Sequence, residues 1–435
     1  MARREGSQIR RALTSLLSPR WIHRQARELG VVKRRRKVDV VALVAALVLG
    51  FDGVQRRPIA GFRRAYELVT GTTLAPSAFY HRLTPELCQL LRQLTFRALA
   101  ELGGQTARMQ LAWSAFVEVF VADGSLVRLR DALEPWYPSV WTNHTKASAK
   151  MHVVMDARTR TPRSLELYPG SHHDVTLLSV GPWVKGRLLV LDLGYYQGQL
   201  FTAIQQQGGF FLCRLKDRAN FEVLVSDQRR HVGRRLREVV AEMQGRPLDV
   251  EVDYAIRSIR QRDWRWRHVR LRVVGDWHQD EQRHRLYITN ASRTQLATEH
   301  VAGIYALRWE IELLFRELKS AYRLDEIPTA SKAVAECLLY AALLTLAISR
   351  RLRDVVTGAQ RGIRQPFPIE RWAVLIGFVA RDLLALLLAP SHDRLVLEQR
   401  LGKLLRHEAR DPNRSRLALS TRAQLGVLKP CSAPP

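Results

Sequence analysis

The sequence predicts an α/β core, a mixed sheet flanked by helices, interrupted by a β-rich insertion and set between helical N- and C-terminal regions. Three observations predict it. Apolar residues keep helical spacing through residues 1–105, change to a period-two rhythm from residue 113, and return to helical spacing near Glu299. Inside the period-two stretch, short apolar runs alternate with helical segments, as in a sheet whose parallel strands are joined by helical crossovers. And 435 residues exceed one ordinary core. The expected division is a helical region over 1–105, a catalytic-sized α/β domain over 106–330, and a helical region over 331–435.

In chain order, Arg10–Arg36 reads as a basic amphipathic region and Val38–Gly50 as an apolar helix. A helix around Ile59–Val69 should end at Gly71, turn through Thr72–Pro76, and restart with Ser77 as cap, which resembles a helix-turn-helix. Ser77, His81 and Arg82 would then be candidates to face DNA, although small helical domains with no nucleic-acid role share this pattern. Ala115–Ala122 is a buried strand ending at Asp123-Gly124; Lys150–Met155 and Ser164–Tyr168 are strands joined through the turn-like Asp156–Pro162. Asp174–Val180 reads as a helix, Arg187–Leu191 as a strand ending at Asp192, Gln199–Gln207 as a helix and Phe210–Leu215 as a strand. Three strands, helix, strand, helix, strand is the order of an RNase H-like fold. Residues 217–285 break it and read as the β-rich insertion, after which Leu286–Asn290 is a strand and one long helix runs from Glu299 to about Tyr322.

Composition narrows the function. A hydrophobic content of 46% excludes global disorder, and a formal charge of +28 calls for a polyanionic partner. The charge is mostly arginine spread along the chain, which suits an extended phosphate-contacting surface; an arginine-favouring, high-GC genome would leave the same mark. Cys88, Cys213, Cys337 and Cys431 stand far apart, against a zinc module or a disulfide framework. The charged N-terminus does not read as a signal peptide. Val38–Phe51, Ala333–Ile348 and Trp372–Leu388 fall short of the roughly 20 apolar residues of a membrane span and are expected to be buried helices.

Two carboxylates, Asp123 and Asp192, stand where apolar strands should end, each followed closely by glycine. Crevices beyond strand ends are where α/β sheets bind ligands, although Asp-Gly also marks ordinary turns. On the helix Tyr305–Lys319 (YALRWEIELLFRELK), an angle of ~100° per residue gathers Tyr305, Arg308, Glu312 and Lys319 into one sector of about 60°, beside the apolar face of Ile304, Leu307, Ile311, Leu314, Phe315 and Leu318. Glu310 and Glu317 point elsewhere, so Glu312 is the third acidic candidate. Phosphodiester cleavage needs charge neutralised on attacking and leaving oxygens, which two Mg²⁺ ions about 3.5–4 Å apart supply from few carboxylates. Arg308 and Lys319 would grip a substrate phosphate and Tyr305 would hydrogen-bond to it. A routine i,i+4 pair between Arg308 and Glu312 on a surface helix is the plainer alternative.

The spacing Tyr305-x2-Arg308-x3-Glu312-x6-Lys319 resembles the Tyr-Arg-Glu-Lys (YREK) signature of a large family of bacterial insertion-sequence transposases. Asp123 in VADGSLVRL and Asp192 in LVLDLGYY are similar to that family's two aspartates. The resemblance covers roughly residues 115–330. It implies an Asp-Asp-Glu metal site of Asp123, Asp192 and Glu312 on an RNase H-like core, with two Mg²⁺ ions and Mn²⁺ able to substitute. It further implies double-stranded DNA as partner, both the terminal inverted repeats and the target, a dimer in the DNA synapse, and a bacterial cytoplasmic location at the nucleoid with no membrane role. A Mg²⁺-dependent nuclease of the same fold, or a non-catalytic DNA-binding protein derived from a transposase, are the rival expectations. Elsewhere, His172-His173-Asp174 reads as a helix start capped by Asp174 rather than a metal cluster, since consecutive residues rarely converge on one ion. Trp264 and Trp266, alternating with Arg265 and Arg267, read as an exposed strand packed on the core or as a base-stacking element.

Overall fold

The structure, a computed structural model, describes residues 2–33, 38–51, 59–103, 115–140, 145–260, 263–322, 324, 327, 329–358 and 369–408. Residues 409–435 of the helical region expected over 331–435, with Cys431, and the side chains of Trp264 and Arg265 lie outside the described residues.

Nine strands form one mixed sheet: β1 Val119–Arg128, β2 Ser148–Asp156, β3 Pro162–Pro169, β4 Leu188–Leu191, β5 Phe210–Arg214, β6 Glu222–Ser226, β7 Leu248–Arg260, β8 Asp263–His278 and β9 Arg283–Thr289, in spatial order β3-β2-β1-β4-β5-β9-β8-β7-β6. β1, β2 and β3 make an antiparallel meander; β4 then lies parallel to β1, and β5 parallel to β4. Parallel neighbours need a crossover, and the segment between β4 and β5 supplies one as α8 (Gly198–Gln206). β9 closes on β5 antiparallel, and the long β7–β8 hairpin continues the sheet outward with β6 at its edge.

Alternation along the strands sorts their side chains into two cores. Phe120, Ala122, Leu189 and Leu191 face one way, onto α8 and the inner residues of β7 and β8; Val119, Val121, Leu188 and Val190 face the other way, onto the helices. On that second face lie α1 (Ala2–Leu16), α3 (Val40–Leu49), α6 (Pro85–Gly103), α10 (Thr298–Ala306), α11 (Trp309–Ser320), α12 (Lys332–Gly358), α13 (Ile369–Leu388) and α14 (Ser391–Glu408), whose apolar residues share one cluster with it. The N- and C-terminal helices interleave, α1 packing on α12 and α14, and α6 on α12.

Several expectations are corrected here. β1 does not stop at Asp123 but runs on to Arg128, because β2 is long enough to keep pairing with it after β4 has ended. The helix expected over Asp174–Val180 is a single turn, α7 (Asp174–Leu177), whose N-cap is His173, so Asp174 does not cap it. α5 (Pro76–Tyr80) is likewise one turn, capped by Ala75 rather than Ser77; Gly71 does terminate α4 (Ile59–Thr70), at φ 66°. The single long helix from Glu299 is two helices, α10 and α11. At the joint the N–H groups of Leu307, Arg308 and Glu310 bond three residues back instead of four, and this tighter winding separates the two. Finally, the apolar stretch at Ala333 belongs to a helix long and apolar enough to cross a membrane, Lys332–Thr357, but 83% of its apolar window is buried inside the protein. Its length was hidden in the sequence because basic residues such as Arg350 and Arg353 fall on its second half.

Candidate active site

Register places the first two acidic residues side by side. The last partners in the parallel pairing of β1 with β4 are Ala122 and Leu191, so Asp123 and Asp192 each follow immediately, on adjacent strands. By alternation both belong to the face that carries Val121 and Val190, the one covered by α11. Asp192 ends its strand in an extended conformation and its carbonyl accepts the Tyr195 N–H at 3.0 Å, turning the chain away and leaving the carboxylate free to face solvent.

α11 supplies the third. Ile311, Leu314, Phe315 and Leu318 are buried against the core, which turns Glu312 and Lys319 towards the two strand positions. Asp123, Asp192, Arg308, Glu312 and Lys319 line one cavity of about 650 Å³, together with Gly124, Ser125, Phe315, Arg316 and Ser320. Of the six residues singled out in the sequence, five therefore meet. Tyr305 is not in the lining: it is half-buried in the last turn of α10, at the joint, its ring against Tyr287 at 4.9 Å between centroids. Burial, with Asp192 adding to it, pushes its hydroxyl well above the usual tyrosine range, so it stays a neutral donor. Arg316 was missed, though it sits four residues after Glu312 and falls within about 40° of it on the helical wheel. Ser125 carried no signal, since only the extension of β1 past Asp123 brings it to the cavity.

The charges are arranged around Arg308. Its Nη1 lies 2.6 Å from Glu312 Oε1 and 4.0 Å from Asp123 Oδ2, so one guanidinium nitrogen stands between two of the three carboxylates. Burial would lower its pKa, but Asp192 and Glu312 outweigh that and hold the guanidinium firmly charged. Burial lifts the Asp123 carboxyl to about 6; the Gly124 N–H, bonded to its Oδ1 at 2.8 Å, works against the rise, Asp192 and Asp174 add to it, and Arg308 opposes it. Burial draws Lys319 below its usual value.

Among the described residues no three acidic, histidine or cysteine side chains converge closely enough to hold a metal ion as they stand. The donor set itself suits a hard divalent cation: three carboxylates, no sulfur, and a cavity open to phosphate. The group standing in the way is Arg308, a positive charge among the carboxylates.

The other acidic residues of α11 are spoken for. Glu310 is 1% exposed with its Oε2 2.5 Å from Arg160 Nε, and Glu317 takes both guanidinium nitrogens of fully buried Arg350 at 2.9 and 2.5 Å. Lys150 Nζ donates to the His172 carbonyl at 2.6 Å and lies 3.2 Å from Asp174 Oδ1, so the His172-His173-Asp174 segment is pinned to β2. Trp266 is 62% exposed on β8.

A family model described as the transposase DDE domain matches residues 115–348, more than half of the chain. The transposase of insertion sequence element IS231F from Bacillus thuringiensis subsp. israelensis is 23% identical over 369 residues, covering 77% of this chain and 77% of its own length. The transposase of insertion sequence element IS1151 from Clostridium perfringens is 17% identical over 366 residues, 75% of this chain and 76% of its own. Among solved structures, a piggyBac transposase synaptic complex with hairpin DNA has a TM-score of 0.46 at 12% identity, covering 92% of this chain and 84% of that one.

Proposed function

Since this chain belongs to the transposase DDE-domain family and is a DNA transposase, we propose that Asp123, Asp192 and Glu312 are its three acidic catalytic residues. The observation that carries the assignment is the register of β1 and β4, which sets Asp123 and Asp192 one step past the same paired residues, under the helix bearing Glu312. We extend the reading to the YREK group of insertion-sequence transposases, to an RNase H-like core over 106–330 interrupted at about 217–285, and to a helical DNA-binding region over 1–105. The partner is double-stranded DNA, the inverted-repeat ends and then the target, with two ends held by a dimer at the bacterial nucleoid.

The residues that would hold the metal are the same three carboxylates, with two Mg²⁺ ions as the expected occupants. Such a pair supplies activation of the attacking oxygen and neutralisation of the leaving one. For Glu312 to serve as a ligand, Arg308 must release it. A DNA phosphate is a suitable acceptor for the freed guanidinium, because bidentate arginine–phosphate geometry is strong in a partly desolvated cavity. Entry of the scissile phosphate and vacating of the carboxylates are then one event. Arg316 and Lys319 flank the same cavity and would hold the phosphate from the helix side. Lys319 reaches it already stripped of part of its hydration, so its contact costs less desolvation on binding.

The test is Mg²⁺-dependent cleavage of duplexes carrying the DNA that flanks the gene, by proteins with alanine at each acidic position. Retained cleavage by Glu312→Ala would refute the site.

A further inference from the structure

The two glycines that follow the acidic residues, Gly124 and Gly194, have a reason that turn geometry alone does not supply. Both face Asp174. A side-chain Cβ built on Gly124 would overlap Asp174 Oδ1 and lie 3.2 Å from its Cγ, and one built on Gly194 would lie 3.7 Å from its Oδ2. The Asp174 carboxylate is therefore lodged between the backbone just after Asp123 and the backbone just after Asp192, tightly on the β1 side and in ordinary contact on the β4 side.

It is held there from behind. Lys150, on β2, lies 3.2 Å from Oδ1 and also donates to the carbonyl of His172, two residues before Asp174. His152, opposite Gly124 in the β1–β2 register, is 4% exposed, and Tyr195, three residues after Asp192, is 1% exposed; each keeps a buried polar atom with no hydrogen bond. Asp174 Oδ1 is itself out of contact with solvent, 3.2 Å from its ion-pair partner Lys150 Nζ. Asp174 is not among the residues lining the cavity, so it would act on the site through its neighbours.

We propose that Asp174 is a positioning residue for the transposase site: its carboxylate is a wedge that sets the separation of the Asp123 and Asp192 backbones, and Gly124 is glycine to admit it. The proposal rests on the reading that Asp123 and Asp192 bind the catalytic metal. With the wedge gone, the two backbones close or splay and the carboxylates no longer share an ion at the right spacing.

The test is a double-substitution cycle on the full-length protein, with Mn²⁺ as the probe. Mn²⁺ binding is followed by electron paramagnetic resonance, the Mn²⁺ midpoint for DNA cleavage is measured beside it, and melting temperature reports folding. Asp174→Ala should move both Mn²⁺ midpoints up by about tenfold, the size usual for residues that orient metal ligands. Asp174→Asn, which keeps the shape and loses the charge, should restore most of that. Gly124→Ala alone should shift the midpoints as Asp174→Ala does, and should add nothing in the Asp174→Ala background, where the space has been vacated. Multiplying effects in the double variant, or Asp174→Asn as impaired as Asp174→Ala, would overturn the wedge. Should Asp174→Ala fold poorly, Gly124→Ala decides by itself, since it keeps both charged groups of the Asp174–Lys150 pair while crowding the wedge: an unchanged midpoint rejects the proposal. Asp123→Ala separates the two layers. If it leaves Mn²⁺ binding intact, the ligand assignment has failed; if it abolishes binding while the cycle is additive, only the wedge has.

Discussion

α11 carries three glutamates on two faces, and the faces behave oppositely. Towards the interior, Glu310 and Glu317 are paired with Arg160 and Arg350, nearly or wholly out of contact with solvent, and Arg350 also donates to the Arg160 carbonyl at 3.3 Å. Towards the cavity, Glu312 is paired with Arg308, with a third of its side chain exposed. The chemical groups are the same. A buried carboxylate that loses its partner strands a charge in a medium of low dielectric, so the inner pairs are committed. An exposed pair gains little over hydration and can be exchanged for a phosphate or a cation. The inner face locks the rotation and height of the helix, and the outer face is left exchangeable. Residue type does not tell these apart; burial does.

The comparison can be broken most directly by exchanging the faces. Glu312→Ala should lower DNA cleavage by about a thousandfold or more, the several kcal/mol that metal-assisted charge stabilisation supplies, with the melting temperature essentially unchanged. Arg350→Ala should do the converse, destabilising the fold by about 3–5 kcal/mol in denaturant titration because Glu317 is left buried and unpaired. A stable Arg350→Ala protein would mean that the inner pair does not hold the helix.

Asp123 sharpens the comparison with a pH dependence. Its carboxyl is raised from 3.8 to about 6, so the folded metal-free protein prefers it protonated. That preference favours the fold fully below the unfolded value and is lost as pH rises through about 6. Asp123→Asn should therefore make the metal-free protein more stable than its parent at pH 7, by about 3 kcal/mol, with the gap closing as pH falls from 6 to 4. A gap that is constant with pH would show that Asp123 ionises normally. The smallest effect is expected at Arg308: Arg308→Ala should change stability by less than about 1 kcal/mol while weakening binding to duplex DNA and flattening its salt dependence by about one unit of slope.

Much of the sheet was legible before any coordinates. The short apolar runs at Ala115–Ala122, Lys150–Met155 and Arg187–Leu191 mark strands because both faces of the sheet are covered, and the strands lie at Val119–Arg128, Ser148–Asp156 and Leu188–Leu191 with a core on each side. Glu312 could be singled out from the wheel because helical geometry is local. The joint at Leu307 and Arg308 escaped, since nothing in the residue types there forbids a continuous helix. Asp174 reads locally as a helix cap because Asp before a short apolar run is favourable there, whereas the residues that claim it, Gly124, Lys150 and Gly194, come from three other segments.

The sequence by itself determined which stretches are sheet-forming and which are helical, that the chain is strongly cationic, and which polar residues share an edge of α11, because spacing and charge are properties of neighbouring residues. Tertiary structure alone decided that Arg308 stands among the carboxylates, that Glu310 and Glu317 are locked inside, and that Asp174 lies between two glycines 70 residues apart in the chain. Those are matters of burial and distance across the sheet, and both are set by packing between segments that carry no record of one another.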